Sequence, residues 1–549
     1  MAKARMTPAI ERREADWERL TREPFDLLVV GGGITGAGAL LDAASRGLRA
    51  ALVERDDLAV GSSSRSSKLI HGGLRYLEQL RFGLVGEALA ERRRLLRLAP
   101  HLVRLERFVA PIHGSPIQLP YVGAGMVLYD LLGAARDGGR FHALLPRSVR
   151  RLAPAVRSKK LRGGFVYHDG IVDDSRLVSA VVRTAEDLGG LALTRVEAVE
   201  LNRDAGRATG LRVRDRLTGR EADVRAAAIV DATGVTAGPA GPFARDGASV
   251  DWGEGAASRP SRGIHFVVRG DRLPVATGVT IRVPGRVVFV IPWHEHVIVG
   301  TTDEPHAGPT DRPAATAEEI DYLLQHVNAV MDVGLTRGDL VSTYAGVRPL
   351  VGGDADTVKA SREHRVGRPL PGLVTIRGGK YTTYRVMARD AVDAALGGTA
   401  RRLPSLTASQ PIRGAVPAAE AATIGADIAE RFKLDGALAR RLASRHGSDA
   451  SAVAELGAEL DLLRPLSAGA PYLEAEVAWA ARAEHALGVD DVLARRTRLA
   501  LESADQGRGA AVRTAAILAA ELGWDEARQA HEVAAYAASS EREYGTSGR

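Results

Sequence analysis

Apolar and polar positions follow one pattern up to about Gly398 and a different pattern after it. In the first part, short apolar runs typical of strands alternate with stretches that repeat apolar residues at helical spacing. Prolines then lie close together at 404, 411 and 417, and an alanine-rich helical pattern fills most of 418–541. The pattern predicts an α/β region at 25–400 and a separate all-helical domain at 401–549.

The first β-α-β unit is the clearest element of this pattern. Phe25–Val30 and Ala50–Val53 are short apolar runs, and the stretch between them, from about 35 to 46, has helical spacing. The turn after the first run carries glycines at G-x-G-x-x-G spacing, namely Gly31, Gly33 and Gly36. Such glycines allow a tight turn, close approach of backbone to a pyrophosphate, and close packing of helix on strand. The unit therefore predicts dinucleotide binding.

An acidic residue completes the nucleotide-binding pattern. Glu54 ends the second strand, 23 residues after Gly31, where a carboxylate meets the ribose hydroxyls of a dinucleotide. This residue favours a cofactor with free ribose hydroxyls over one with a 2′-phosphate, so FAD and NAD both fit. The alternative, a glycine-rich turn in an ordinary α/β core, leaves the acid and its spacing unexplained.

Further apolar runs predict a second sheet that is interleaved with the first. Several runs of strand type lie between residues 161 and 300, with a helical pattern at 174–188 among them. The turn at Thr233-Gly234 follows one of these runs, so it can join the nucleotide site. The predicted fold class is α/β: a Rossmann-like doubly wound domain, interleaved with a mixed β-sheet substrate domain that lies mostly within 80–370, and then the helical C-terminal domain.

The sequence also predicts the local structure of three other segments. Residues 1–24 are expected to form a helical N-terminal extension that ends at Pro24. The uncharged stretch Phe108–Tyr129 is long enough to span a bilayer, but its prolines spoil a spanning helix and predict strand and loop. Residues 541–549 are expected to be a frayed tail.

The amino-acid composition excludes several kinds of catalytic and metal site and indicates the charge of the expected partners. The 549 residues include no cysteine, which excludes disulfides, thiolate catalysis, Cys–zinc sites and iron–sulfur clusters. The formal net charge of +7 suits anionic substrates, phosphates or an anionic membrane surface. We expect no nucleic-acid partner, because aromatic residues make up only 5% of the chain and do not interleave with a basic stripe. No metal site is predicted.

Several stretches together resemble the FAD-dependent (respiratory, quinone-reducing) glycerol-3-phosphate dehydrogenases. Besides the nucleotide unit, they are GSSSRSSKLIHGGLRYLE (61–78), VIPWHEHVIVGTTD (290–303), GVRPL (346–350), IRGGKYTTYR (376–385) and DVLARRTRL (491–499). The resemblance runs from Phe25 to about Tyr536. It implies FAD as cofactor, oxidation of sn-glycerol 3-phosphate to dihydroxyacetone phosphate by hydride transfer, and membrane quinone as electron acceptor. It also implies a cytoplasmic protein held peripherally on the inner face of the cell membrane, and it leaves a homodimer open.

The resemblance also assigns roles to individual residues. Those assigned to FAD are Gly31, Gly33, Ile34, Gly36, Glu54, Ser66, Ser67, Lys68, Leu69, Gly72, Thr233, Gly234, Gly379, Lys380 and Thr382. Those assigned to the substrate are Arg75, Tyr76, Arg348, Arg362 and Lys380. Those assigned to catalysis are His265, Lys380 and Arg348. Cationic groups suit this substrate, because its phosphate carries close to two negative charges.

The catalytic roles follow from ordinary acid–base chemistry. His265 is expected to be the base that takes the hydroxyl proton, with a water or the surroundings of Arg348 as open alternatives. Lys380 beside the flavin can stabilise negative charge on the reduced ring. Without the motifs around them, Arg348 and Arg362 would be interpreted as surface ion-pair residues, and His265 as a core histidine.

Two rival functions stay open at this stage. The first is an oxidase of the same fold that passes electrons to oxygen, or a related FAD-dependent amine oxidoreductase. An amine substrate would not need a phosphate-sized cluster of arginines. The second is a flavoprotein that binds RNA or a protein partner and uses FAD structurally, which would need an exposed basic stripe with stacking aromatic residues.

Overall fold

The computed structural model of the protein describes residues 6–133, 139–237, 243, 258–283, 286–351 and 363–548. The strands are β1 (Phe25–Val30), β2 (Ala50–Glu54), β3 (Leu69–Ile70), β4 (Val103–His113), β5 (His142–Leu144), β6 (Leu161–Val172), β7 (Leu191–Thr194), β8 (Val196–Asp204), β9 (Arg207–Asp215), β10 (Glu221–Asp231), β11 (Ser258–Arg269), β12 (Gly278–Val283), β13 (Arg286–Trp293), β14 (His296–Gly300), β15 (Glu304–Pro305), β16 (Leu340–Val351), β17 (His364–Leu370) and β18 (Leu373–Gly378). The α-helices are α1 (Ala9–Arg22), α2 (Ile34–Ser45), α3 (Phe82–Leu98), α4 (Gln118–Leu131), α5 (Pro146–Leu152), α6 (Asp174–Asp187), α7 (Ala317–Val330), α8 (Tyr384–Leu396), α9 (Ala418–Phe432), α10 (Gly436–His446), α11 (Ala450–Glu459), α12 (Ala475–Glu484), α13 (Leu499–Glu502), α14 (Arg508–Leu522) and α15 (Glu526–Tyr544).

The first sheet is the doubly wound one that the sequence predicts. Its parallel strands follow the order β7-β2-β1-β10-β18, and β17 pairs with β18 as an antiparallel edge. Val29 of β1 is in register with Leu52 of β2 on one side and with Val230 of β10 on the other. The helices α2, α6 and α8 share one buried core with these strands. Strands covered on both faces are apolar throughout, which is why the sequence shows continuous runs here.

The second sheet has ten strands and is mostly antiparallel. Its order is β15-β11-β14-β13-β12-β4-β6-β3, with β16 on the other side of β11 and β5 paired with β6. The one parallel pair in this order is β12 with β4. In the β11–β16 pair, His265 lies opposite Tyr344, and Ser261 lies opposite Arg348. The predicted mixed sheet is therefore present, and β3 ties it to the loop that follows the nucleotide unit.

The helical region after residue 400 has its own core. That core consists mainly of alanine, leucine and valine side chains of α9–α15, and Ala9 of the N-terminal helix α1 belongs to it. Two other residues of α1, Trp17 and Leu20, are buried in a core of the first sheet. Arg13 of the same helix lies 2.9 Å from a carboxylate oxygen of Asp215. The N-terminal helix therefore packs against both the first sheet and the helical domain.

Two expectations from the sequence are wrong. Residues 118–131 form helix α4 and not loop, because Pro120 lies in the first turn, where backbone N–H groups have no acceptor within the helix. The C-terminal tail is helical up to Tyr544, where Glu543 forms a buried ion pair with Arg65. This long-range pair has no local sequence signal, so the end of the chain resembled an ordinary frayed terminus.

Candidate active site

The carboxyl ends of β1 and β2 form a cradle of backbone atoms. Gly31 has a φ of +110°, and a Cβ placed on it would lie 2.7 Å from the carbonyl oxygen of Ala232. A Cβ on Gly36 would lie 1.9 Å from the carbonyl oxygen of Gly31. Helix α2 begins directly after Gly33, so the N–H groups of its first turn, which lack acceptors within the helix, lie at this turn. The glycines are required by close backbone contacts, as expected for a turn that receives a pyrophosphate.

Glu54 lies at the end of β2, against the glycine turn. One carboxylate oxygen accepts a hydrogen bond of 2.6 Å from the N–H of Gly32, and the other accepts one of 2.7 Å from Asp56. Burial raises the pKa of Glu54, and the two backbone hydrogen bonds oppose this rise. The carboxylate is therefore held in a fixed position beside the turn, where a dinucleotide ribose is expected.

Two further parts of the nucleotide end are in place. The N–H of Ile34 donates a 2.9 Å hydrogen bond to the hydroxyl of Ser63, in the loop after β2. Thr233 follows β10, and its hydroxyl donates a 2.7 Å hydrogen bond to Asp231. Gly234 has a φ of +69°. This second turn meets the first one where Gly31 approaches the backbone of Ala232 and Thr233, directly after β10, so both lie at the carboxyl end of the sheet, where ligands of such sheets bind.

The loop from Ser66 to Lys68 is held by Asp174, the first residue of α6. The hydroxyl of Ser66 donates a 2.7 Å hydrogen bond to the Asp174 carboxylate, and the Lys68 ammonium lies 2.8 and 2.9 Å from its two oxygens. Lys68 is fully buried, and its Nζ lies 5.0 Å from the centre of the Tyr344 ring. Burial lowers the pKa of Lys68 to about 8, and the Asp174 carboxylate opposes this shift.

His265, on β11 of the second sheet, contacts this loop. Its Nε2 is 2.8 Å from the hydroxyl of Ser67, and its ring stacks on Tyr344 at 4.6 Å and 8°. Burial holds the pKa of His265 well below the ordinary value of 6.5, and the nearby positive charges of Arg348 and Lys68 lower it further. The imidazole is therefore neutral at neutral pH, with cations on two sides.

Arg348 extends over the same face of the second sheet. One terminal nitrogen lies 3.2 Å from Asp303, and the other lies 3.1 Å from both the Thr301 hydroxyl and the Thr302 carbonyl. A Cβ on Gly263, between Ser261 and His265 on β11, would lie 2.3 Å from this guanidinium. The absence of a side chain at Gly263 therefore gives Arg348 the room to lie across the sheet, at a fixed orientation.

Lys380 and Thr382 join the turn after β18 to the loop before α3. The Nζ of Lys380 lies 3.8 Å from the centre of the Tyr76 ring, a cation–π distance. The Thr382 hydroxyl exchanges hydrogen bonds of 3.3 and 3.5 Å with the backbone of His71. Two segments about 310 residues apart in the sequence are thereby placed side by side.

The remaining predicted residues have structural neighbours or lie outside the described part of the chain. Gly379 has a φ of +80°, and the N–H of Gly72 donates a 3.2 Å hydrogen bond to Asp169. Leu69 pairs with Ile171 in the second sheet. Arg362 lies outside the described residues. Arg75 lies in the short 3₁₀ helix Leu74–Leu77, and its side chain lies outside what the structure describes.

Two aspartates at the site have no individual role in the sequence analysis. Asp174 holds the loop at residues 66–68, and Asp57 pairs with Arg495 at 2.5 Å and with Arg496 at 2.7 Å. The C-terminal motif DVLARRTRL thus reaches the loop that follows Glu54. Asp174 begins a helix, where a carboxylate is ordinarily interpreted as a favourable end charge, so the sequence offered no signal for its wider role.

Comparison with known proteins identifies the family of the chain. A family model described as FAD dependent oxidoreductase matches residues 26–393, and a model described as the C-terminal domain of alpha-glycerophosphate oxidase matches residues 405–529. A glycerol-3-phosphate dehydrogenase of Mycobacterium leprae is 42% identical over 97% of this chain and 91% of its own length. The chain belongs to the family of FAD-dependent glycerol-3-phosphate dehydrogenases.

The family includes relatives from distant organisms and a solved structure. The human mitochondrial glycerol-3-phosphate dehydrogenase is 36% identical, covering 93% of this chain and 72% of its own length. The crystal structure of the glycerol-3-phosphate dehydrogenase from Bacillus halodurans, complexed with FAD, has a TM-score of 0.77 at 27% identity and covers 98% of both chains. The predicted fold class, family and cofactor are confirmed. FAD also fits the residues present, because the turn at Gly31 leaves no space for a side chain and Glu54 lies where its ribose is expected.

Proposed function

We propose that the protein oxidises sn-glycerol 3-phosphate to dihydroxyacetone phosphate and passes the electrons to membrane quinone. The oxidation step of this proposal rests on one observation: the imidazole of His265 is neutral and buried, with Arg348 and Lys68 close by. A base for an uncharged hydroxyl must be unprotonated at working pH, and an anionic substrate needs positive charge around it. Family membership supports the substrate, since the relatives named above are glycerol-3-phosphate dehydrogenases.

His265 takes the proton of the hydroxyl on carbon 2 in this proposal. Ser67 contacts Nε2 and fixes the plane of the ring together with the stacked Tyr344, while Nδ1 has no hydrogen-bond partner within the described residues. FAD supplies, when bound, the acceptor for the hydride that leaves the same carbon. As the proton leaves, negative charge develops on the substrate oxygen, and the nearby cations Lys68 and Arg348 offset it, whereas they oppose the positive charge that the imidazole gains.

Arg348 contributes to phosphate binding in this proposal. Asp303 and the two threonine oxygens hold its guanidinium in one orientation, so a bound phosphate meets a preorganised cation. Lys380 supplies a second positive charge, above the ring of Tyr76. An amine substrate would gain nothing from these cations, which argues against the amine oxidoreductase alternative.

Anaerobic reduction of the bound flavin tests the substrate and the base together. Glycerol 3-phosphate should bleach the yellow holoenzyme, and glycerol at the same concentration should not, because it lacks the phosphate. His265→Gln should slow this bleaching by about 10²- to 10⁴-fold, the usual contribution of a positioned base. The control is His326→Gln, on α7 in the second-sheet domain, which should bleach at the parental rate. Bleaching of the His265 variant at the parental rate would assign the base to another group.

One surface next to the site supports a membrane partner. The exposed side of α4 carries Ile117, Tyr121, Ala124, Val127 and Leu131, which are apolar or aromatic and follow helical spacing. This helix packs against the 3₁₀ helix that contains Tyr76. In the part of the chain that the structure describes, no helix has the length and apolar character needed to cross a bilayer. An apolar helix face on a protein of net charge +7 suits peripheral binding to an anionic bilayer.

Vesicle binding and acceptor specificity test this part of the proposal. The holoenzyme should float with vesicles that contain anionic lipid, and high salt should weaken that binding. A Tyr121→Glu, Leu131→Glu double variant should lose flotation and keep anaerobic reduction by glycerol 3-phosphate. Val512→Glu is the control, because Val512 is equally exposed on α14 but belongs to the helical domain.

The electron acceptor is decided by comparing two oxidants. Turnover with a soluble quinone analogue should greatly exceed turnover with oxygen alone. Oxygen consumption at a comparable rate would identify an oxidase instead.

A further inference from the structure

Asp174 connects the loop at residues 66–68, called the catalytic loop in this proposal, to the helical domain. It is fully buried and lies at the start of α6, where Ser66 and Lys68 both donate hydrogen bonds to it. The guanidinium of Arg498, which lies 324 residues later in the sequence, contacts the same carboxylate. One carboxylate is therefore shared by a lysine of the catalytic loop and an arginine of the C-terminal motif.

The backbone around Arg498 aims its side chain at this carboxylate. Residues 491–497 form a π-helical segment, and Arg498 follows it with a φ of +90° in the left-handed region. Its guanidinium also lies 2.6 Å from Asp173, the residue that caps α6. A non-glycine residue in this conformation costs conformational free energy, and such strain persists only where surrounding contacts hold it.

Stability alone is a weak explanation for this arrangement. Arg498 and Lys68 are both buried, so each loses its hydration, and an apolar side chain of similar volume often fills such a space at no loss of stability. Buried ionic groups can instead fix one arrangement of the surrounding chain. Here the chain that becomes fixed includes Ser67, whose hydroxyl contacts Nε2 of His265.

We propose that Arg498 of the helical domain is a positioning residue for substrate oxidation. Through Asp174 it fixes the loop of Ser66, Ser67 and Lys68, and through Ser67 it sets the orientation of the His265 imidazole. This inference rests on the role proposed above for His265. It makes the helical domain a necessary part of the oxidation site, although none of its residues needs to touch the substrate.

The test is Arg498→Lys in the full-length holoenzyme, with the rate of anaerobic flavin reduction measured per bound FAD. Lysine keeps the charge and loses the fork that spans Asp173 and Asp174. The rate at saturating glycerol 3-phosphate should fall about 10- to 100-fold, the cost of a misplaced catalytic group. The half-saturating concentration should change less than about twofold, because the substrate-binding cations are untouched. FAD content should equal that of the parent.

Arg482→Lys is the matched control. Arg482 is another buried arginine of the helical domain, paired with Glu521 at 2.8 Å, and neither of these residues contacts the catalytic loop or Asp174 in the described structure. This variant should reduce its flavin at the parental rate even if its melting temperature falls. A parental rate for Arg498→Lys, with only a lower melting temperature, would make Arg498 structural and overturn the inference.

Ser66→Ala keeps the test decisive if the arginine variant does not fold. It removes one hydroxyl from the loop side of the same carboxylate, and its reduction rate per FAD should fall about tenfold for the same positional reason. A parental rate in this variant overturns the inference. If His265→Gln reduces its flavin normally, the role proposed for His265 fails first, and the two failures are therefore distinguishable.

Discussion

The nucleotide end of the candidate site consists mainly of backbone atoms, whereas the proposed substrate end consists of side chains, among them the charged groups of Lys68, Arg348 and Lys380. At the nucleotide end, residues close in sequence create the shape, as Gly31 and Gly36 do by leaving out a side chain. At the proposed substrate end, side chains are held by residues far away in the chain, as Lys68 is by Asp174 and Ser67 by His265. The shape of the nucleotide end therefore depends on the space available to the backbone. The arrangement of side chains at the substrate end depends on their charges and hydrogen bonds.

The largest expected effect is at the nucleotide end. Gly36→Ala would place a Cβ 1.9 Å from the carbonyl oxygen of Gly31, so β1 and α2 must separate and the turn must change shape. We expect purified protein to contain little or no FAD, measured as flavin released by acid per mole of chain. Gly86→Ala in α3 is the control, because a Cβ there meets open space. That variant should keep its FAD and gain about 0.5–1 kcal/mol of stability. A yellow Gly36→Ala protein would show that this end tolerates side chains.

A smaller effect is expected from Arg348→Lys at the substrate end. Lysine keeps the positive charge but loses the fork that Asp303 and Thr301 hold in place. The KM for glycerol 3-phosphate should rise about 10- to 100-fold, the cost of losing charge-assisted hydrogen bonds to the phosphate, while FAD content stays the same. Arg272→Lys, an exposed residue paired with Asp339, should leave KM unchanged.

Two outcomes of the Arg348 experiment would change this contrast between the nucleotide end and the substrate end of the site. An unchanged KM would make Arg348 a structural residue, and Lys380 would become the main phosphate cation among the described residues. Loss of FAD would instead show that the two ends of the site are not independent, because a substrate-side arginine would then control cofactor binding.

The smallest expected effect is in the dependence on pH. The pKa of His265 is lowered well below 6.5 by burial, so the imidazole stays neutral as the pH falls from neutrality through 6.5. The saturating rate of anaerobic reduction should therefore be flat across that interval, with its acid limb well below pH 6.5. In the unfolded chain this histidine takes up a proton near pH 6.5, so the free energy of unfolding should fall below that pH. A rate that halves near pH 6.5 would indicate an exposed base instead. Saturating substrate is needed, because the phosphate itself titrates near pH 6.

Features of the fold that depend on near neighbours were predictable from the sequence. The bounds of β1 and β2 and the positions of Gly31 and Gly36 follow from apolar runs and spacing alone. His265 and Lys380 were identified through family motifs, because a single histidine or lysine carries no signal of its own. Asp174 was missed, since the partners of its carboxylate come from two distant parts of the chain, residues 66–68 and Arg498, and no local pattern brings them together.

The pair formed by Arg65 and Glu543 bears on how the protein is made. These residues are 478 positions apart, so Arg65 is translated long before Glu543. Arg65 therefore leaves the ribosome long before its partner carboxylate exists, and a nascent chain carries the catalytic loop without the contact that anchors it. We expect the loop next to Arg65 to reach its final arrangement only after residue 543 has left the ribosome, so that a stop codon at position 543 yields a chain with an immature loop.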